Sequence, residues 1–338
     1  MPHRFIVDLK EGDALKQFFL LRRVECRRTK GGKPYLDVEL ADRSDVIKGK
    51  VWDDTLQKCS GPLAACDFVA ITGVVEAYQG ATQINLDFID TVERLRARGK
   101  PLEEFDPDLL IPAAPHNRED MWRELLELAG AHLNSPLREL VLAILKKYEA
   151  QLLEWPGAES YHHAYRGGLL EHTWSVARQA LGSLQVYPNL KGDLVIAGAI
   201  LHDLGKIKEL TGPPCPRRSV PGGLLGHIVL GWEMVREEAL FLAFPDEPLL
   251  MSLEHIIIAH HGAVEFGSPI LPRTPEALLV YYLDEIDSKL HMVKRHLDTN
   301  GSGGDFTSYH RVLGRFLYRP AEPSENPNED SPVDDSQV

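Results

Sequence analysis

The chain has 338 residues, 43% hydrophobic and 26% charged, with a formal net charge of −13. That length suits two domains, and the composition supplies a sizeable core and excludes wholesale disorder. No segment approaches about 18 uninterrupted apolar residues, and the start "MPHRFIVDLKEGD" has no signal-like apolar run, which reads as a cytoplasmic protein with no membrane partner.

The first part reads as short strands. "FLLRRVECR" places Leu20, Val24 and Cys26 on one face and Arg23, Glu25 and Arg27 on the other, and "YLDVEL" alternates Leu36, Val38 and Leu40 against Tyr35, Asp37 and Glu39. "TKGGKP" between them predicts a hairpin turn. "VIKGKVWD", "DFVAITGVVEAY" and "TQINLDFIDTV" add three strands, and five strands in about 75 residues predict a small barrel. Residues 95–117, with Pro101, Pro107, Pro112 and Pro115 and no periodicity, read as a linker. The four cysteines, Cys26, Cys59, Cys66 and Cys215, form no CxxC pair, as expected of reduced thiols.

Beyond the linker the pattern turns helical. "REDMWRELLELAGAHL" follows Asn117 as a cap, and "SPLRELVLAILKKYEAQLLE" opens with Ser135 as N-cap and Pro136 at the first helical position. Helical segments continue to about residue 298, followed by a helical extension over 299–319. The tail 320–338 has six acids and no Lys or Arg, a disordered composition. Residues 1–100 hold 17 Lys and Arg against 15 Asp and Glu, a net +2. The acidity therefore lies further along, and the front domain remains free to meet a polyanion.

Ionisable side chains recur inside the apolar helical segments: His172 in "GGLLEHTWSV", His202 and Asp203 in "AGAILHDLGKIKEL", His227 in "GGLLGHIVLG", His260 and His261 in "IIIAHHGAV", and Asp284 in "YYLDEIDSKL". Such groups are costly to bury unless paired or bound to a cation. Imidazoles and carboxylates are transition-metal ligands, packed helices bring them to one point, and several histidines with two acids suit two ions. The ligand chemistry admits Mn, Fe, Co, Ni or Zn.

The order His, His-Asp, His, His-His, Asp resembles the HD superfamily of metal-dependent phosphohydrolases. The stretches "HHAYRGGLLEHTWSV", "LLGHIVLGWEMV", "AHHGAVEFGSPILPRTPEALLVYYLDEIDSKL" and "FTSYHRVLGRFLYR" resemble the YhaM-type 3′-to-5′ exoribonucleases over roughly residues 15–318. The resemblance implies an N-terminal all-β OB-fold (residues 1–94) followed by an all-α HD bundle (118–298). It further implies one metal held by His172, His202, Asp203 and Asp284, and a second held by His227, His260 and His261 with Asp203 as a bridge. Manganese is the metal the family suggests. Asp284 takes the final-acid position, with Asp287 read as a surface acid or one standing behind a ligand. His162, His163 and His255 read as packing groups, groups standing behind a ligand, or substrate contacts.

Two ions side by side would neutralise a phosphodiester and acidify water for in-line attack. Lys206, in the HDxGK-like position, is expected to set its ammonium against a phosphate oxygen, and Arg166, Arg217 and Arg218 are candidate phosphate contacts at the rim. OB-folds grip single strands with cations and aromatic platforms, for which Arg23, Arg27, Lys33, Tyr35, Lys48, Lys50 and Trp52 are the candidates. The leading expectation is a metal-dependent exonuclease of single-stranded RNA that also accepts single-stranded DNA, with a homo-oligomer left open. A phosphodiesterase of small nucleotides and a non-catalytic nucleic-acid-binding protein are the alternatives.

Overall fold

A computed structural model of the chain describes residues 3–29, 31–57, 59–78, 81–159, 163–299 and 305–319. They fall into two units, Met1–Asp287 and Ser288–Val338. In the first, strands β1 (Ala14–Arg28), β2 (Pro34–Ala41), β3 (Val46–Val51), β4 (Phe68–Tyr78) and β5 (Ala81–Thr91) close a barrel in the order β1-β2-β3-β5-β4, with only the β3–β5 pair parallel. This is the OB-fold strand order. Phe19, Leu21, Val38, Leu40, Ile71, Ile84 and Leu86 fill its interior. A short helix, α1 (Asp53–Leu56), follows β3.

The alternation predicted for β1 needs correction. A bulge between Leu21 and Arg23 shifts the register, so that Leu21 and not Leu20 shares the inner face with Val24; Cys26, near the end of β1, is exposed. Leu21 joins the barrel core, and Leu20 packs with Ala41 and Leu110 outside it. One extra residue flips every side chain beyond it, which alternation alone does not reveal.

The stretch read as a linker is ordered and packed. It begins inside helix α2 (Val92–Ala97), which Thr91 caps by accepting from the Arg94 N–H. Leu110 and Ile111 are buried, and the Arg43 N–H donates to the Leu109 carbonyl.

Helix α3 (Arg118–His132) starts at the predicted Asn117 cap, whose side chain accepts from the Asp120 N–H. Helix α4 (Leu137–Lys147) starts one residue later than predicted, with Pro136 itself at the cap and the Ser135 hydroxyl donating to Glu139 instead of accepting from an N–H of the first turn. Then come α5 (Glu149–Glu154), α6 (Gly168–Val186), α7 (Gly192–Leu201), α8 (Lys206–Glu209), α9 (Val220–Phe241), α10 (Glu247–Ala259) and α11 (Pro275–Thr299). Helix α7 is apolar on every side and buried from Leu194 to Leu201. Such a helix belongs at the centre of a bundle, and α7 packs against α3, α4, α6 and α10. No helix among the described residues is long and apolar enough to cross a membrane.

In the second unit, the helical extension predicted over 299–319 is not a helix among the described residues 305–319. Bridges pair Phe306 with Tyr318 and His310 with Arg315, and Gly314 at φ +65° lets the chain reverse between them. The tail 320–338 and His162 lie outside the described residues.

Candidate metal centre

The site grows from helix ends. His202 and His260 are the C-cap residues of α7 and α10, where the last carbonyls lack helical partners. Each ring folds back on the carbonyl three residues earlier: His202 Nδ1 lies 2.9 Å from the Ala199 oxygen and His260 Nδ1 lies 2.7 Å from the Ile257 oxygen. With Nδ1–H donated there, the Nε2 lone pair of each points inward. His261 does the same through the Phe266 carbonyl at 2.7 Å. His227 follows Gly226, whose φ of +73° breaks α9, and its Nδ1 lies 3.2 Å from Glu209 Oε2.

All seven predicted side chains meet around Asp203, whose two oxygens divide them into two sets. Oδ2 lies 3.3 Å from His172 Nε2 and 3.5 Å from His202 Nε2. In that set His172 Nε2 is also 3.1 Å from His202 Nε2 and 3.2 Å from Asp284 Oδ1. Oδ1 lies 3.4 Å from His227 Nε2 and 3.6 Å from His260 Nε2, and His227 Nε2 is 3.3 Å from His261 Nε2. Ligands 2.1 Å from one ion stand about 3.0 Å apart in an octahedron and about 3.4 Å apart in a tetrahedron, so these spacings suit cation cages. Asp203 Oδ1 and His260 Nε2 are buried without a hydrogen-bond partner among the described residues. Orphaned atoms of that kind are what a cation would satisfy.

Behind these side chains lies a chain of contacts that sequence patterns did not reveal. Asp284 and Asp287, three apart on α11, grip opposite nitrogens of one ring, Asp287 Oδ2 lying 2.8 Å from His172 Nδ1. Asp287 thus stands behind His172, on the side of the ring away from Asp284. His163 Nε2 lies 3.0 Å from Asp287, its Nδ1 lies 3.2 Å from Glu171, and Glu171 reaches His116 at 2.8 Å. The buried members, Asp287, His163 and Glu171, fix the ring that faces the centre. Glu209, within "KIKEL", reads in sequence as an ordinary helix-end acid, and only the fold brings it to His227.

The HD domain family model matches residues 169–289, a span that contains all seven side chains, and a second model, TraI_2, matches residues 113–189. The chain is 32% identical over 316 residues to the 3′-5′ exoribonuclease YhaM of Geobacillus sp. (strain WCH70), covering 93% of this chain and 94% of that one. It is 32% identical to the Bacillus subtilis (strain 168) protein of the same name, over 91% and 96%, and 31% identical to that of Listeria monocytogenes serotype 4b (strain F2365), over 93% and 98%. The chain belongs to the YhaM family. Among solved structures, the second OB-fold domain of replication protein A from Methanococcus maripaludis matches at 17% identity and a TM-score of 0.23, covering 28% of this chain and 96% of that one.

Electrostatics in this YhaM family member favour neutral imidazoles at His260 and His261, a charged one at His172, and ionised acids beside them. Burial pushes the His260 and His261 pKa values down, which leaves their lone pairs free. Burial opposes ionisation of Asp203, yet Lys206, His202 and His172 hold its carboxyl well below the usual range. For His172 burial again opposes charge, and Asp203, Asp284 and Asp287 overcome it and raise its pKa. Lys206 is 8% exposed with its ammonium 2.6 Å from Asp203 Oδ2. It is therefore a buried partner of the central carboxylate rather than a cation at the helix surface.

Four of the other cationic candidates, Arg166, Arg23, Arg27 and Lys50, are committed to protein acids. Arg166 is corrected: its guanidinium pairs with Glu154 through two nitrogens and with Asp108 through a third. Its backbone also bonds to Pro112 and Ala114, so it straps the interdomain segment to the helical domain instead of standing free for phosphate. Arg217 is exposed and reaches Cys66 in the barrel at 3.5 Å, and Arg218 is exposed on the same segment.

The barrel candidates share one outer wall. Register sets Arg23 opposite Glu39 and Lys48, Glu25 opposite Asp37 and Lys50, and Arg27 opposite Tyr35. Arg23 pairs with Glu25 and Glu39, Arg27 with Glu25 and Asp37, and Lys50 with Asp37. Lys33 is exposed in the hairpin turn. Trp52, 40% exposed, lies 5.2 Å from the Tyr35 ring, and the Lys50 ammonium lies 5.2 Å from that ring.

Proposed function

We propose that the chain is a metal-dependent 3′-to-5′ exoribonuclease that hydrolyses single-stranded RNA, and also accepts single-stranded DNA, at a centre holding two divalent cations, manganese foremost. His172, His202, Asp203 and Asp284 would hold one cation, and His227, His260, His261 and Asp203 the other. The observation that carries this reading is the Asp203 carboxylate, whose oxygens face two separate sets of inward-pointing ligands. The names of the relatives, matched over nine tenths of the chain, support the same reaction and polarity.

When bound, the ions supply positive charge to the phosphodiester and acidify water. The chain's own residues do the rest. Without cations, Asp203 and Asp284 would repel a phosphate, and Lys206 offsets one of those charges from within the site. Hydrogen bonds at every Nδ1 keep the rings from turning as substrate enters and leaves. The Tyr35–Trp52 pair offers a stacking surface, and the surrounding cations guide the backbone of a strand.

The test uses purified protein with end-labelled single-stranded RNA, single-stranded DNA and small cyclic nucleotides, with and without manganese, beside the His202→Ala/Asp203→Ala variant. A ladder shortening from the 3′ end, absent in the variant, is expected. Turnover of cyclic nucleotides with intact RNA would overturn the proposal, as would binding of RNA with no product.

A further inference from the structure

Two of the four thiols meet across the boundary between barrel and helical domain. Cys66 lies between α1 and β4, and Cys215 lies between α8 and α9. Cys66 holds a φ of +81°, a left-handed conformation uncommon outside glycine, and its N–H donates to the Leu21 carbonyl at 2.7 Å. That bond fixes it beside β1. Cys215 packs against the Leu20, Ala41 and Leu110 cluster at the same place, and the Cys66 thiol is its neighbour. Arg217 donates to Cys66 Sγ at 3.5 Å. Both thiols are half-buried.

The surroundings give the two sulfurs different chemistry. Cys66 Sγ faces the Arg217 guanidinium, whereas Cys215 sits in the apolar cluster. Burial and the neighbouring thiol push Cys215 up to about 12, so it keeps its proton. An attacking sulfur therefore stands next to a resolving one.

We propose that Cys66 and Cys215 are a redox modification site, closing to a reversible disulfide when a peroxide reaches them and tying the barrel to the helical domain. The Cys66 thiolate attacks one oxygen of hydrogen peroxide, the O–O bond breaks, and the departing hydroxide takes up the proton the thiol released. The resulting sulfenic acid is attacked by the Cys215 sulfur. Its hydroxyl leaves with the Cys215 proton as a second water. Two thiols and one peroxide give one disulfide and two waters, sulfur being oxidised and peroxide reduced.

The bond would restrain a segment with a direct line to the metal centre. Ser219, at its far end, donates to the Glu209 carbonyl at 2.8 Å and to the Lys208 carbonyl at 2.6 Å. The Glu209 side chain in turn orients His227. The position of the barrel and the stiffness of this segment would then depend on oxidation, whatever the substrate.

The test treats the reduced full-length chain with stoichiometric hydrogen peroxide, followed by unreduced peptide mapping by mass spectrometry and thermal melting. A single Cys66–Cys215 cross-linked peptide is expected, with a melting temperature about 5 °C or more above the reduced form. Dithiothreitol should reverse both, and Cys66→Ser and Cys215→Ser should each abolish both. The Cys26→Ser/Cys59→Ser variant, which keeps the pair, should still form the link. Sulfinic acid at Cys66 without cross-link, or links that run instead through Cys26, would overturn the proposal.

Discussion

Replacing Gly205 with alanine tests whether packing of α8 on α9 sets the second ligand group. An added Cβ would lie 1.9 Å from the His227 carbonyl oxygen, 2.5 Å from the Gly231 nitrogen and 2.8 Å from the His227 carbonyl carbon. All three are backbone atoms, so no side chain can swing aside. Restoring ordinary contact requires α9 to retreat by about 1–1.5 Å at His227, whereas ligand distances tolerate about 0.2 Å. Overpacking of this kind costs about 1–3 kcal/mol of stability, and a 1 Å misplacement costs about 100-fold in rate. Gly231→Ala presses the same contact from the other side, where its Cβ would meet the Gly205 nitrogen at 3.1 Å, and should be far milder. Metal content after gel filtration, measured by mass spectrometry, should fall from two ions toward one in Gly205→Ala, with the His172 group still loaded. Two ions, wild-type affinity and wild-type turnover in that variant would refute the reasoning.

Glu209→Gln, which leaves the fold intact but weakens the acceptor behind His227, should lower metal affinity about 10–100-fold in a chelator competition. His163→Gln should do the same through Asp287 and His172, with little change in the melting temperature. Asp42 is fully buried and accepts from the N–H groups of Ile6 at 2.8 Å and Ser44 at 2.7 Å. Burial works against its ionisation, but His3, Ser44 and Ile6 lower its pKa. Its contribution is thus complete above about pH 3.9 and fades as pH falls through the lowered native value. In Asp42→Asn, the unfolding free energy from urea titration should drop by about 1–3 kcal/mol near neutrality and lose that acid-side slope; curves parallel to wild type would count against it. Tyr35→Ala/Trp52→Ala should weaken single-stranded RNA binding about 10-fold or more by fluorescence anisotropy, with turnover of a dinucleotide unchanged.

The centre was legible because ionisable residues stood where apolar helices should continue. His202 and Asp203 end α7, a helix buried all round, and no ordinary surface explanation survives in such a context. The barrel was legible from five alternating runs separated by turns. Partners distant in sequence were not. Arg166 meets Glu154 and Asp108, and Glu209 meets His227, through packing that periodicity does not encode. Alternation assigned Arg23, Arg27 and Lys50 to an outer face, but strand register decides which acids stand opposite them. The segment 305–319 was misread because its apolar residues recur at spacings that suit helix and hairpin alike.

The ion-paired wall of the barrel changes what gripping a strand would involve. Each phosphate arriving at Arg23, Arg27 or Lys50 has to displace a carboxylate already bound there. The protein acts as its own counterion, and exchange of one anion for another is nearly balanced. A nucleic acid held in this way advances by small trades instead of breaking strong contacts all at once, with a shallower dependence of affinity on salt than bare cations would give. A surface built on such trades suits an enzyme that has to hold its polymer and let it move.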